Sequence, residues 1–168
     1  MPNKGLYIGR FQPFHLGHLS IITDAFKEVE FLTIGIGSSQ YSNEKDNPFT
    51  FNERKEMIQE VLKEENIPED NYQILAIPDI HNNEAWPGHV RSIVGDFDIL
   101  YLGNKDIIKE LFEKYDKVSM KFIDHTIAIS STEIRHAIKK DKNWKENLHP
   151  KVVMFLEDIE GIWRIKGI

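Results

Sequence analysis

Apolar residues recur along the chain at two periods, and the alternation between them predicts its architecture. Lys4–Gly9 (KGLYIG) and Phe31–Gly37 (FLTIGIG) are short apolar runs ending in glycine, the pattern of buried strands. Tyr72–Ile77 and Ile99–Gly103 (ILYLG) read the same way, and Val118–Ile123 alternates weakly as a fifth strand. Leu16, Leu19, Ile22, Ala25, Phe26 and Val29 fall at helical spacing, predicting a helix over Leu16–Val29. Thr50 with Glu53 is a capping-box pattern opening a helix to Glu65, and Ser130 with Glu133 repeats it before a helix to Lys140. Trp86–Val94, Lys105–Lys114 and Lys151–Ile159 read as further helices, the last with Pro150 at its first turn. Ser38–Phe49, with Asn43, Asn47 and Pro48, reads as a loop. Gly161–Ile168 (GIWRIKGI) holds apolar residues, Trp163 among them, that pack on the domain or at a subunit contact.

Strand and helix alternating at this spacing predict an α/β fold, Rossmann-like and doubly wound, with a mostly parallel sheet and a single domain over residues 1–168. Ligands of such sheets bind beyond the carboxyl ends of the strands. Gly9-Arg10, Gly37-Ser38, Pro78-Asp79 and Gly103-Asn104 all follow strands, so all are expected to face one crevice.

Composition then narrows the function. At 168 residues, with 40% hydrophobic and 29% charged residues, the chain can bury a core. No apolar run approaches the roughly 20 residues of a membrane-spanning helix, and no signal-peptide segment opens the chain. Cysteine is absent, which excludes disulfides and thiolate chemistry and fits a reducing compartment such as the cytoplasm. A net charge of −6 argues against a nucleic-acid partner but leaves small anions possible in a locally positive cleft.

The cleft needs a phosphate cradle, yet there is no P-loop, and Gly35-Ile36-Gly37 lacks the third glycine of the dinucleotide fingerprint. The first strand supplies another. Gly9-Arg10-Phe11-Gln12-Pro13-Phe14-His15-Leu16-Gly17-His18 leads into a helix whose open amides face the crevice. His15 and His18 share one face of the first turn, and Gly17 leaves room for close approach to the backbone. With Arg10 they suit an oxyanion-rich ligand such as a triphosphate. A metal pair and a plain helix cap are the duller readings; a helix N-terminus disfavours a cation, and no third ligand is evident. Ile129-Ser130-Ser131-Thr132-Glu133-Ile134-Arg135 places hydroxyls and amides at a second helix N-terminus, with Arg135 one turn inside; alone it reads as an ordinary capping box.

The first of these segments resembles the His-x-Gly-His signature of the nucleotidyltransferase superfamily, and the second its Ile-Ser-Ser-Thr-x-x-Arg signature. Asn47-Pro48-Phe49-Thr50 with Glu53-Arg54, Asp79-Ile80 with Asn83 and Trp86, and Gly103-Asn104 make the whole similar to archaeal-type nicotinamide mononucleotide adenylyltransferases. Some bacterial relatives add a Nudix hydrolase domain, for which this chain is expected to be too short. Two positions depart from the pattern. Asp46 stands where some relatives carry a basic residue, with Lys45 as a substitute, and Ser131 where several carry glycine.

The resemblance implies direct transfer of AMP from ATP to nicotinamide mononucleotide, with Mg²⁺ accompanying ATP and its protein ligands unknown. It implies His15, His18 and Arg135 as catalytic residues. Gly9, Arg10, Phe11, Gly17, Gly103, Asn104, Ser130, Ser131 and Thr132 are then expected at ATP, and Gly37, Ser38, Arg54, Asp79, Asn83 and Trp86 at the mononucleotide. A homo-oligomer is expected on the same ground. Trp86 equally suits a core aromatic, Asp79 a loop cap, and Arg54 an ion pair with Glu53 or Glu56. A sister adenylyl- or cytidylyltransferase and a non-catalytic nucleotide sensor are the alternative functions.

Overall fold

The computed structural model describes residues 3–103, 107–124 and 129–168. Five strands form one parallel sheet: β1 (Lys4–Gly9), β2 (Phe31–Gly37), β3 (Tyr72–Ile77), β4 (Ile99–Leu102) and β5 (Ser119–Phe122), in the order β3-β2-β1-β4-β5. Among the described residues seven α-helices accompany them: α1 (Leu16–Ala25), α2 (Phe51–Glu64), α3 (Trp86–Val94), α4 (Ile107–Tyr115), α5 (Ser131–Lys139), α6 (Pro150–Asp158) and α7 (Gly161–Gly167). The doubly wound expectation is met, with every described strand pair parallel.

Two apolar layers explain why the strands are hydrophobic throughout. Tyr7 with Leu32, Ile34 and Ile36 packs against α1, α2, α5, α6 and α7, while Leu6 and Ile8 pack with Ile77, Val90, Val94 and Phe112 on the α3–α4 side. Gly35 is required by closeness: a Cβ there would lie 2.4 Å from Ile77 Cδ1. No helix among the described residues is long and apolar enough to cross a membrane.

Two elements differ from the sequence reading. α1 stops at Ala25 instead of Val29; Val29 is buried in the loop that follows, so its apolar character reports burial and not helix. The C-terminal apolar segment forms α7, turned off α6 by Glu160 at φ 56° and anchored by buried Ile165, while Trp163 stays 75% exposed. The chain runs outward from β1 through β2 to β3, then crosses back to β4 on the other side of β1. That reversal leaves a crevice above the carboxyl ends of β1 and β4.

Candidate active site

The crevice is a cavity of about 860 Å³ onto which Gly9, Gly37 and Gly103 all open. Every described residue expected at the ligands lies on its wall except Arg54, and Asn104 falls outside the described residues. The sequence reading missed an apolar wall from Ile107, Ile108 and Leu111 of α4 with Ile129, and the polar rim residues His81 and Asn82. The α4 residues carried a signal only for a helix face.

At one end the turn after β1 meets the start of α1. Phe11, at φ 54°, folds its ring onto Tyr7, Phe14 and His18, with centroids 5.7, 5.8 and 4.8 Å apart. Gly9 is needed for this, since a Cβ would sit 2.9 Å from that ring. His15 caps α1 and forms a reciprocal box with His18. The His18 amide donates to His15 Nδ1 at 3.3 Å, and the His15 amide donates to His18 Nδ1 at 3.1 Å. The rings stack with centroids 3.5 Å apart. Because both Nδ1 atoms accept, this network assigns the proton of each neutral ring to Nε2. Gly17 lines the cavity, and a Cβ there would lie 2.9 Å from His15 Cε1, so its missing side chain makes room for the imidazole.

The start of α5 closes the same end. Ser130 caps the helix through a reciprocal box with Glu133, and Ser131 Oγ donates to the Pro13 carbonyl at 2.9 Å, tying the two helix starts together. Arg135 is 6% exposed; its Nη1 donates to the Gln12 carbonyl at 2.9 Å, and its Nη2 reaches Asp46 Oδ1 at 3.4 Å. Burial lowers the Arg135 pKa, nearby Asp46 opposes that, and Arg10 adds to it. Asp46, the departure noted in the sequence, is thus the carboxylate partner of Arg135.

At the other end the loops after β2 and β3 are stitched together. Ser38 Oγ donates to Asp79 Oδ2 at 2.8 Å, the Gln40 amide pairs with both main-chain groups of Asp79, and Tyr41 Oη lies 2.9 Å from His81 Nε2. Asp79 therefore ties a loop while lining the cavity. Trp86 does two things at once: it lines the cavity and packs edge-on against Phe112, centroids 5.9 Å apart. Asn83 is exposed at the rim, and its neighbour Asn82 accepts from the Ala85 amide at 3.1 Å.

Arg54 is placed where neither sequence reading put it. It is 0% exposed, off the cavity wall, and paired with neither Glu53 nor Glu56. Its guanidinium donates instead to the carbonyls of Arg10 (3.0 Å), Gly37 (2.9 Å), Ser38 (3.3 Å) and Thr50 (3.2 Å). Burial, with Arg10 nearby, pulls its pKa down to about 10, so it remains charged at neutral pH. The pattern of one cation under several turns leaves no periodic trace in a sequence.

Among the described residues no group of three or more His, Asp or Glu is placed to hold a metal ion. The arrangement instead offers two helix N-termini, two imidazoles and two arginines to phosphate oxygens at one end, and an aromatic face with amides at the other.

Residues 6–137 match the family described as cytidylyltransferase-like. The chain is 41% identical over 163 residues to a nicotinamide-nucleotide adenylyltransferase of Thermococcus sibiricus, covering 97% of this chain and 88% of the relative. It is 43% identical over 167 residues to the protein of that name from Methanococcus aeolicus, covering 98% and 94%. Among solved structures it is similar to a bifunctional NMN adenylyltransferase/ADP ribose pyrophosphatase of Francisella tularensis, complexed with AMP and a Mn ion. The TM-score is 0.79 at 25% identity, over 99% of this chain and 52% of that one, so this chain spans about half of the bifunctional protein.

Proposed function

This chain belongs to the cytidylyltransferase-like family, and we propose that it transfers the adenylyl group of ATP to nicotinamide mononucleotide, giving NAD and pyrophosphate. The observation that carries this reading is the meeting of the α1 and α5 N-termini at one end of a cavity whose other end presents Trp86 and Asn83. The names of the full-length relatives support the same acceptor.

A phosphate oxygen of the mononucleotide forms a bond to the α-phosphorus of ATP. The bond from that phosphorus to the bridging oxygen breaks, and its electron pair leaves with pyrophosphate. The nucleophile arrives already anionic, so the protein supplies position and charge stabilisation. His18 donates through Nε2–H to the α-phosphate, and His15 supports it through the shared box. Arg10, Arg135 and the Ser130–Thr132 turn hold the remaining phosphates. A divalent cation, Mg²⁺ in this reading, enters as part of the ATP substrate. Trp86 stacks on the cationic pyridinium ring, and Asn83 pairs with its carboxamide.

The test is incubation with ATP, Mg²⁺ and a panel of phosphorylated acceptors, with products identified by mass. NAD formed from nicotinamide mononucleotide supports the reading. Product only from another acceptor, such as phosphopantetheine, assigns the chain to a sister transferase, and no product with any acceptor overturns catalysis.

A further inference from the structure

α7 does not line the cavity, yet its Arg164 is tied into the loops that build the cavity's triphosphate end. Arg164 forms a two-pronged pair with Glu53, Nη1 to Oε2 at 2.6 Å and Nη2 to Oε1 at 2.9 Å. Nη1 also donates to the Pro48 carbonyl at 3.2 Å, and the guanidinium lies 5.7 Å from the Phe49 ring centroid. Glu53 Oε2 accepts as well from the Thr50 amide at 2.9 Å. One cation therefore grips the whole Pro48–Thr50 turn. Close seating of the helix is built in, because a Cβ on Gly161 would lie 3.0 Å from Phe49 Cε1.

From this turn two short routes reach Arg135. Phe49 exchanges two bonds with the Gln12 amide, its N–H donating at 2.9 Å and its carbonyl accepting at 3.0 Å, and the Gln12 carbonyl accepts from Arg135. Two residues before Pro48, Asp46 accepts from the other prong of Arg135. Gln12, Phe49 and Arg135 are all buried, so water cannot replace a link withdrawn from that route, whereas Asp46 is exposed and its bond is the weaker of the two.

We infer that Arg164 is a positioning residue: through Glu53 and the Pro48–Thr50 turn it fixes Gln12 and Asp46, and through them the direction of the Arg135 guanidinium. The inference rests on the adenylyl-transfer reading for its kinetic readout only. Arg164→Met removes the fork at similar length. It should lower kcat/KM for ATP about tenfold and leave KM for the mononucleotide within about twofold. Arg164→Lys, which keeps one prong, should fall between the variant and the parent. In an Arg135→Lys background, Arg164→Met should cost less than about twofold, since the group it aims has been replaced. Trp163→Ala, on the same helix and 75% exposed, should match the parent.

Calorimetric titration of ATP alone, run on the same four-protein cycle, needs no acceptor and tests the strut even if the acceptor reading fails. Thermal melts identify folded variants, and if Arg164→Met does not fold, the cycle is run with Arg164→Lys. Multiplicative effects in the cycle, equal loss for both substrates, or equal damage from Trp163→Ala would overturn the inference.

Discussion

Arg54→Met separates a ligand-binding arginine from a structural one. The substitution keeps most of the apolar volume but removes a guanidinium that serves four carbonyls, three of them on cavity-lining residues. The bond to Gly37 is buried and those to Arg10, Ser38 and Thr50 partly so; the carbonyl of Gly37 is therefore left without water, while the others recover part of their loss. Breaking a buried charged network of this kind costs about 3–5 kcal/mol, a large share of the roughly 5–15 kcal/mol that holds a domain together. For a domain of this size each kilocalorie moves Tm by about 2–4 °C, so the melt should shift down by about 6–20 °C. Arg54→Lys keeps the charge, but a single ammonium cannot span carbonyls reached from three different nitrogens, and it should fall between variant and parent. The assay is a thermal melt beside steady-state kinetics for both substrates. The structure predicts lowered Tm in both variants and kinetic damage shared between ATP and the mononucleotide. Unchanged Tm with a KM increase confined to the mononucleotide would refute this and restore Arg54 to the acceptor pocket.

Three further outcomes are expected. His18→Ala should lower kcat about 100- to 1,000-fold, the roughly 2.7–4 kcal/mol of one transition-state donor, with little change in calorimetric ATP affinity; near-normal turnover in a folded variant would remove His18 from the chemistry. Trp86→Ala should raise KM for the mononucleotide by the equivalent of about 0.5–2 kcal/mol and spare KM for ATP, whereas equal loss for both would leave Trp86 only its packing on Phe112. Burial pushes the Glu53 carboxyl up, but the bonds from Arg164 and Thr50 outweigh it and hold the group below its ordinary 4.5. A carboxyl depressed in the folded state stabilises above its unfolded value and loses that contribution as pH falls through the folded one. The stability gap between parent and Glu53→Gln in urea should thus be full above about pH 5 and close on acidification; a gap independent of pH would sink the assignment.

The parts of the site legible in the sequence are those governed by chain direction. Glycine-polar turns after parallel strands open at one edge, because right-handed crossovers leave no other arrangement, and Gly9, Gly37 and Gly103 do so. Both capping boxes at Thr50 and Ser130 form, since each is decided within four residues. What was illegible depends on contacts between distant segments. Arg54 looks like any helix-surface cation until β1, β2 and the α2 cap deliver carbonyls to it. α7 is seven residues flanked by glycines, too short for a periodic signal, and it stands on Ile165 and the Arg164–Glu53 pair. That Gly17 makes room for the His15 ring is equally hidden, because the orientation of that imidazole is set by a reciprocal bond that spacing alone does not reveal.

The net charge of −6 and the two anionic substrates of the proposed reaction are reconciled by where the cations lie. Arg10 and Arg135 stand on the wall, and Arg54 sits behind it with carbonyls, not a carboxylate, as its bonded partners. Burial lowers the pKa of both Arg54 and Arg135, and the charge of Arg10 adds to this at each. Asp46 offsets part of this from an exposed position, Glu133 stands on the wall with its carboxylate bonded by the Ser130 amide, and Asp79, which also acts on Arg54, is bonded by Ser38. Arginines thus gather at this end of a chain that is acidic overall. On the proposed reading, an incoming triphosphate and an attacking monophosphate, which repel each other in water, would both approach these cations. Attraction and alignment of the two phosphates would then have one structural cause, and the neutral aromatic and amide groups at the far end would be left to distinguish what the second phosphate is attached to.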